Sequence, residues 1–252
     1  MNHINPNTYS SLPPRFENLR IAPQKGGRLT RYRDESTGEI FFKITEAART
    51  QFLVSKLLKG IIPVSDVVIV LDTETNQEIF LSKEMDLDAG EVVTDISDQQ
   101  ADALFLELVF NDSDHNDDLR HNIRANKERT NHFLFDFGEA DQLFGEEHAY
   151  RHESVDEEVL GIASFQVRKL LRTRIETFIT SLNKEDSVDF IAKILAVIPK
   201  EPVEGDLDEH SLHALLLKRA QKAIAKVQKF DRNVGSTVDK LQSDSDSDIL
   251  KL

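Results

Sequence analysis

The sequence predicts an α+β fold in two lobes, a small β-rich lobe followed by a larger helical one. Three observations carry this expectation. Short β patterns separated by turn residues fill the stretch before residue 84. A single helical pattern interrupts them in the order hairpin, helix, two strands. From residue 97 onward the apolar residues recur at helical spacing instead.

The elements follow in order. Residues 1–25 hold Pro6, Pro13, Pro14 and Pro23 among Asn and Ser and read as an irregular arm. Residues 28–32 and 39–43 are strand patterns around an Asp-Glu-Ser-Thr-Gly turn, which predicts a hairpin. Ala48, Phe52, Leu53, Ser55, Leu57 and Leu58 are spaced for a helix over 45–59, stopped near Gly60 and Pro63. Residues 67–71 and 78–82 supply two more strands, which completes a first lobe over 26–86. In the second lobe, 87–242, helices are expected over 97–110, 155–182, 187–197 and 209–230. A polar loop spans 111–121, and a short strand over 132–135 leads into Asp136-Phe137-Gly138. Pro199 and Pro202 separate the last two helices. The Ser-Asp repeats near the end predict a disordered acidic tail over 243–252.

Composition narrows the function classes. The chain has 252 residues, enough for one large core or two small lobes around a cleft. It has no cysteine, so it forms neither disulfides nor thiolate metal sites. A formal net charge of −14 argues against non-specific nucleic-acid binding, which needs clustered Lys and Arg. No apolar run approaches the length of a membrane span. The first residues carry neither a basic n-region nor an apolar h-region, so no classical secretory signal is read and a cytoplasmic location is expected. There is no P-loop, no Gly-x-Ser-x-Gly elbow and no His-x-x-x-His pair on a predicted helix. Walker-type, serine-hydrolase and zinc chemistry therefore lack support.

The informative stretch runs from Asn111 through Asp112, Asp114, His115, Asp117 and Asn122 to Asp136-Phe137-Gly138. Phosphoryl transfer needs a carboxylate beside the acceptor hydroxyl and oxygen ligands for Mg²⁺. Asp117 and Asn122 have the Asp-x-x-x-x-Asn spacing, His115 stands two residues before Asp117, and Asp136 follows a plausible hairpin. Asp112 and Asp114 compete with Asp117 for the carboxylate role. Upstream, Lys43 ends a strand pattern directly before the first helix, and Gly26-Gly27 could approach phosphates closely. Taken singly, an Asp-rich loop is usually a solvated turn and a strand-end lysine usually an edge residue. Order and separation together favour a functional cleft.

On these residues the chain resembles the kinase-like superfamily. The likeness is to its HipA-type and phosphoinositide-kinase-like branches and to compact kinase-like effectors of intracellular bacteria. It covers residues 26–140 by motif. It implies a two-lobed kinase-like fold that binds ATP and Mg²⁺ and phosphorylates a protein or a phosphoinositide. By the resemblance, Asp117 (with Asp114 as competitor) orients the acceptor, Lys43 contacts phosphate, and Asn122 and Asp136 hold the metal. Glu84-Met85 forms a hinge near the adenine. Gln51 occupies the place of the helix glutamate that pairs with the strand lysine, and Glu46 could substitute. That departure keeps a pseudokinase open as a binding or regulatory module, and adenylyl transfer is a further alternative. Secretion into a host cell without a classical signal agrees with the effector likeness. Basic residues on two predicted helices, Arg168, Lys169, Arg172 and Arg174, then Lys218, Arg219, Lys222, Lys226 and Lys229, suggest either a solvated face or a site for acidic lipid or inositol phosphate.

Overall fold

Antiparallel pairing of β1 (Leu19–Ile21), β2 (Arg31–Asp34), β3 (Ile40–Ile44), β4 (Val67–Asp72) and β5 (Gln77–Lys83) builds a five-stranded sheet of order β1-β2-β3-β5-β4. The computed structural model describes residues 19–21, 31–34, 37–44, 47–72, 77–83, 87–88, 96–112, 123–126, 132–134, 160–198 and 208–249. The β2–β3 turn closes where expected. Gly38 adopts a φ of 75°, which a side chain would oppose, and Thr37 Oγ1 donates to Asp34 Oδ2 at 3.0 Å. Strand β1 falls inside the expected irregular arm. Its three residues pair with β2 in the register Leu19↔Asp34, a long-range contact that local composition cannot announce.

Helix α1 (Ala48–Leu58) links β3 to β4. Every residue from Thr50 to Leu58 is buried, because the helix packs against β4 and β5 on one side and a later helix on another. Lone amphipathicity is therefore a poor guide to it: a helix enclosed all round is apolar on more than one stripe.

The remainder is mostly helical. After the short β6 (Leu87–Asp88) come α2 (Ile96–Phe105), β7 (Ile123–Asn126), β8 (His132–Leu134), α3 (Phe165–Leu182), α4 (Ser187–Val197) and α5 (Glu209–Ile249). Strands β6, β7 and β8 form a second antiparallel sheet in that order. Helix α2 ends in a π-helical turn, Leu106–Phe110, stopped by Asn111 in the left-handed region. The expected single helix over 155–182 is broken. Residues 160–162 are helical, and Ser164 then caps α3 by accepting the Val167 N–H at 3.2 Å. Asp208 caps α5 by accepting the Ser211 N–H at 2.7 Å, a bond that holds its carboxyl below the ordinary range.

The acidic tail differs from expectation. Helix α5 continues to Ile249, so residues 243–249 are helical rather than disordered. Nothing after Phe230 except Gly235 breaks a helix, and Val234, Val238 and Leu241 keep the helical spacing. One glycine costs only about 1 kcal/mol.

One hydrophobic cluster joins the five-stranded sheet to the helices. It runs from Val67, Ile69 and Phe80 on the sheet through Phe52 and Leu53 of α1 to Phe105, Leu171, Ile194 and Leu216 in the helices. A smaller cluster of Phe41, Val70, Ile79 and Leu81 occupies the opposite sheet face. The structure is thus α+β as expected, with a β-rich N-terminal part and a helical remainder around a shared core.

Candidate functional site

The segment of interest lies between the end of α2 and the end of β8. Strands β7 and β8 pair in the register Ile123↔Leu134, Arg124↔Phe133, Ala125↔His132. Ile123, which follows Asn122 in the chain, therefore stands directly opposite Leu134, which lies two residues before Asp136. The chain passes from β5, ending at Lys83, to β6, starting at Leu87, over residues 84–86, and β6 pairs with β7 as Leu87↔Asn126. The expected hinge positions thus join the two sheets.

Strand β8 is anchored from both sides. The Leu134 N–H donates to Pro63 O at 2.9 Å, and Leu134 O accepts the Ser65 N–H at 2.9 Å. These bonds tie β8 to the segment between α1 and β4, which also lines an open cavity of about 350 Å³. From the other side, His132 Nε2 donates to Asp102 Oδ2 at 2.7 Å. The second oxygen of Asp102 accepts Arg174 Nε at 2.8 Å, and Arg174 also reaches Asp98 Oδ1 at 2.9 Å. Asp102 is fully buried on α2, and His132 is 6 % exposed.

Of the predicted site residues, Lys43 and Gln51 are described. Gly26, Gly27, Glu46, Glu84, Met85, Asp114, Asp117, Asn122 and Asp136 lie outside the described residues, as does His115. Lys43 pairs with Leu81 in the β3–β5 register and shares its face with Phe41 and Leu81. Helix α1 packs on the other face, where Phe52 meets Phe80 edge-on at 6.0 Å between centroids. Leu134 belongs to the core on that same α1 side. Strand alternation therefore turns Lys43 away from α1, from Gln51 and from β8. This corrects the expected Lys43–Gln51 neighbourhood: Gln51 is buried within α1 on the far side of the sheet. On the α1 side of β2 the basic residues are Arg31 and Arg33, in register with Phe42 and Ile40. Arg31 stacks on Phe42 with its guanidinium 5.3 Å from the ring centroid.

Asp112 is also repositioned. It is fully buried at the end of α2, where its N–H donates to Leu106 O at 3.3 Å, so it belongs to the helix terminus.

Sequence reasoning missed a buried cation. Lys56 on α1 is 8 % exposed and pairs with Asp66 at 2.8 Å, with its ammonium 5.2 Å from the Phe52 ring centroid. Burial pushes the Lys56 ammonium below the ordinary lysine range, and the nearby Asp66 carboxylate offsets part of that shift. It also missed Asp102. An aspartate on the apolar side of a helix pattern was the available signal, but its partners come from residues 132 and 174.

The basic residues of α3 are mostly committed internally. Arg168 is buried, bonded to Asp231 at 2.7 Å and stacked on Phe230 at 5.1 Å. Arg172 pairs with Glu176 at 2.8 Å, and Arg174 holds the two α2 aspartates. None of Lys218, Arg219, Lys222, Lys226 and Lys229 on α5 is without a partner.

Among the described residues, no three His, Asp or Glu side chains group to hold a metal, and no helix is long and apolar enough to cross a membrane. No protein-family model matches the chain, and no curated protein matches it in sequence.

Proposed function

We propose that this protein is a kinase-like phosphotransferase that uses ATP and Mg²⁺ to phosphorylate a hydroxyl on a protein or phosphoinositide. The observation that carries the reading is the Ile123↔Leu134 register, because it brings the neighbours of Asn122 and Asp136 to one end of one hairpin. Strand order β1-β2-β3-β5-β4, with a helix between β3 and β4, supports a two-lobed arrangement with the 84–86 connection as hinge. The donor set fits the metal: a carboxylate and an amide oxygen suit a hard divalent cation. Asn122 and Asp136 would hold it, and the bound ion would neutralise charge on the phosphates. Asp117 accepts the proton of the acceptor hydroxyl and orients that oxygen for in-line attack.

Lys43 is left out of this site because its side of the sheet is turned from β8. Of the basic residues on the α1 side, Arg31 and Lys56 are each stacked on a phenylalanine. That observation favours a second reading, a nucleotide-binding module of pseudokinase type.

The test is a thermal-shift and autophosphorylation assay with ATP and Mg²⁺ on the wild type and on Asp136→Ala. Ligand binding raises the melting temperature by mass action. The phosphotransferase reading expects a metal-dependent shift and phosphate incorporation, both abolished by the substitution. A shift without incorporation selects the binding module, and incorporation of AMP selects adenylyl transfer. An Asp136→Ala protein that responds like the wild type removes the site.

A further inference from the structure

We infer that the end of α5 docks on a second copy of this chain, the two pairing antiparallel across a patch formed by Ile162, Phe165 and Val234. Among the described residues four large apolar side chains are exposed, and these are three of them, at 83, 68 and 40 %. Local packing gathers them at one end of the helical part. Helices α3 and α5 run antiparallel, with His213 bonded to Leu182 O at one end and Arg168 to Asp231 at the other. The Arg168 guanidinium also covers the Phe230 ring, and a Cβ placed on Gly161 would sit 4.0 Å from that ring. Ile162 follows Gly161, Phe165 opens α3 one turn before Arg168, and Val234 lies one turn beyond Phe230.

Past this point α5 outruns its neighbour. Its backbone stays helical to Ile249, about 20 Å beyond the N-terminal end of α3. The stripe it buries from Leu212 through Val227 continues in the sequence at the same spacing through Val234, Val238 and Leu241. A helix apolar along one stripe needs a partner for that stripe, and an exposed apolar patch marks where one sits.

Charge selects the partner and its direction. From Lys218 to Arg232 the helix carries six basic residues and one acid, whereas from Asp239 to Ile249 it carries four aspartates and one lysine. Parallel copies would set aspartates against aspartates. Antiparallel copies crossing near residue 238 set Val234 of one opposite Leu241 of the other. They also lay the Asp244–Asp248 end of each along the basic stretch of the other. The same end passes Phe165, and the exposed Lys169 and Arg172, four and seven residues on, share its face of α3. The arrangement is two-fold and self-complementary. The 24 residues from Lys226 to Ile249, with Ile162 and Phe165, fall within the roughly 20–30 per side that a stable interface uses. The net charge of −14 repels whole chains, but that repulsion is screened over about 8 Å at physiological salt, so the local match governs.

The experiment is sedimentation of the full-length chain at physiological salt over roughly 1–100 μM. The wild type is expected to sediment as a dimer, and Phe165→Glu to weaken it on the order of 30-fold with unchanged circular dichroism. If Phe165→Glu does not fold, Ile162→Glu decides, with a loss in the same direction. Asp244→Lys with Asp248→Lys, and separately Lys169→Glu with Arg172→Glu, should each weaken the dimer several-fold, and a chain carrying all four should regain it. Parallel copies would not be rescued this way, so a dimer that stays weak in the fourfold variant overturns the antiparallel pairing. A dimer that survives both Phe165→Glu and Ile162→Glu has its interface elsewhere and overturns the proposal. So does a wild type that sediments as one chain throughout, which assigns the patch to a different protein.

Discussion

Two aspartates one helical turn apart share one arginine, and their surroundings should make them energetically unlike. Asp98 and Asp102 both bond Arg174, at 2.9 and 2.8 Å. The Asp98 side chain is 42 % exposed and that of Asp102 is fully buried. Asp98→Ala removes a surface ion pair, worth about 0–1 kcal/mol, and gains a few tenths from the better helix propensity of alanine. Its net effect should lie near zero. Asp102→Ala has the same propensity gain but strands the His132 donor, whose side chain is 8 % exposed. An unsatisfied buried polar group costs about 1–3 kcal/mol, and breaking a buried charged pair about 3–5 kcal/mol. Arg174 keeps Asp98 and is 24 % exposed, so the lower part of that range applies, near 3 kcal/mol. Urea unfolding of the two variants measures both numbers, with an unchanged m-value as the check that the denatured state is unaltered. Equal costs, or an Asp102→Ala loss below about 1 kcal/mol, would refute the claim that burial rather than pairing sets the value of this network.

Phe178 joins α3 to the C-terminal end of α2 and the π-helical turn that follows it, with ring centroids 5.6 Å from Phe105 and 5.6 Å from Phe110 and an exposure of 1 %. Phe178→Ala should cost about 3–5 kcal/mol in chemical denaturation, and a loss under half the lower figure would mean the cluster collapses around the gap. Lys56 gives a pH signature. Its pKa is lower in the folded state, so below that pKa the protein bears the full cost of a buried charge. The cost disappears as pH rises through the folded value toward the ordinary lysine value of about 10.4. The wild type should therefore gain stability relative to Lys56→Met between neutral pH and pH of about 10. A flat or falling difference contradicts the assigned direction.

Most element types were legible because each rests on a local period. Strands β3 and β5 alternate around aromatic and β-branched residues, and α2, α4 and the first half of α5 place apolar residues three and four apart. Strands β1 and β6 were not legible, since two or three residues become a strand only through a partner far along the chain. The helical run to Ile249 was hidden by its Ser-Asp composition, which resembles a solvated tail. Of the candidate site, the order of the acidic loop, hairpin and Asp-Phe-Gly is a sequence property. The side of the sheet that Lys43 occupies is not.

By itself, the sequence determined an acidic, cysteine-free α+β chain and the linear order in which its chemistry-bearing residues occur, because composition and period are local quantities. Tertiary structure decided which residues meet. It put Lys43 across the sheet from α1 through the parity of strand pairing, and it buried Asp112 at a helix end. It also drew Asp102, His132 and Arg174 into one network from three elements. A side chain's face depends on register, and register is set by the partner strand rather than by the residues themselves.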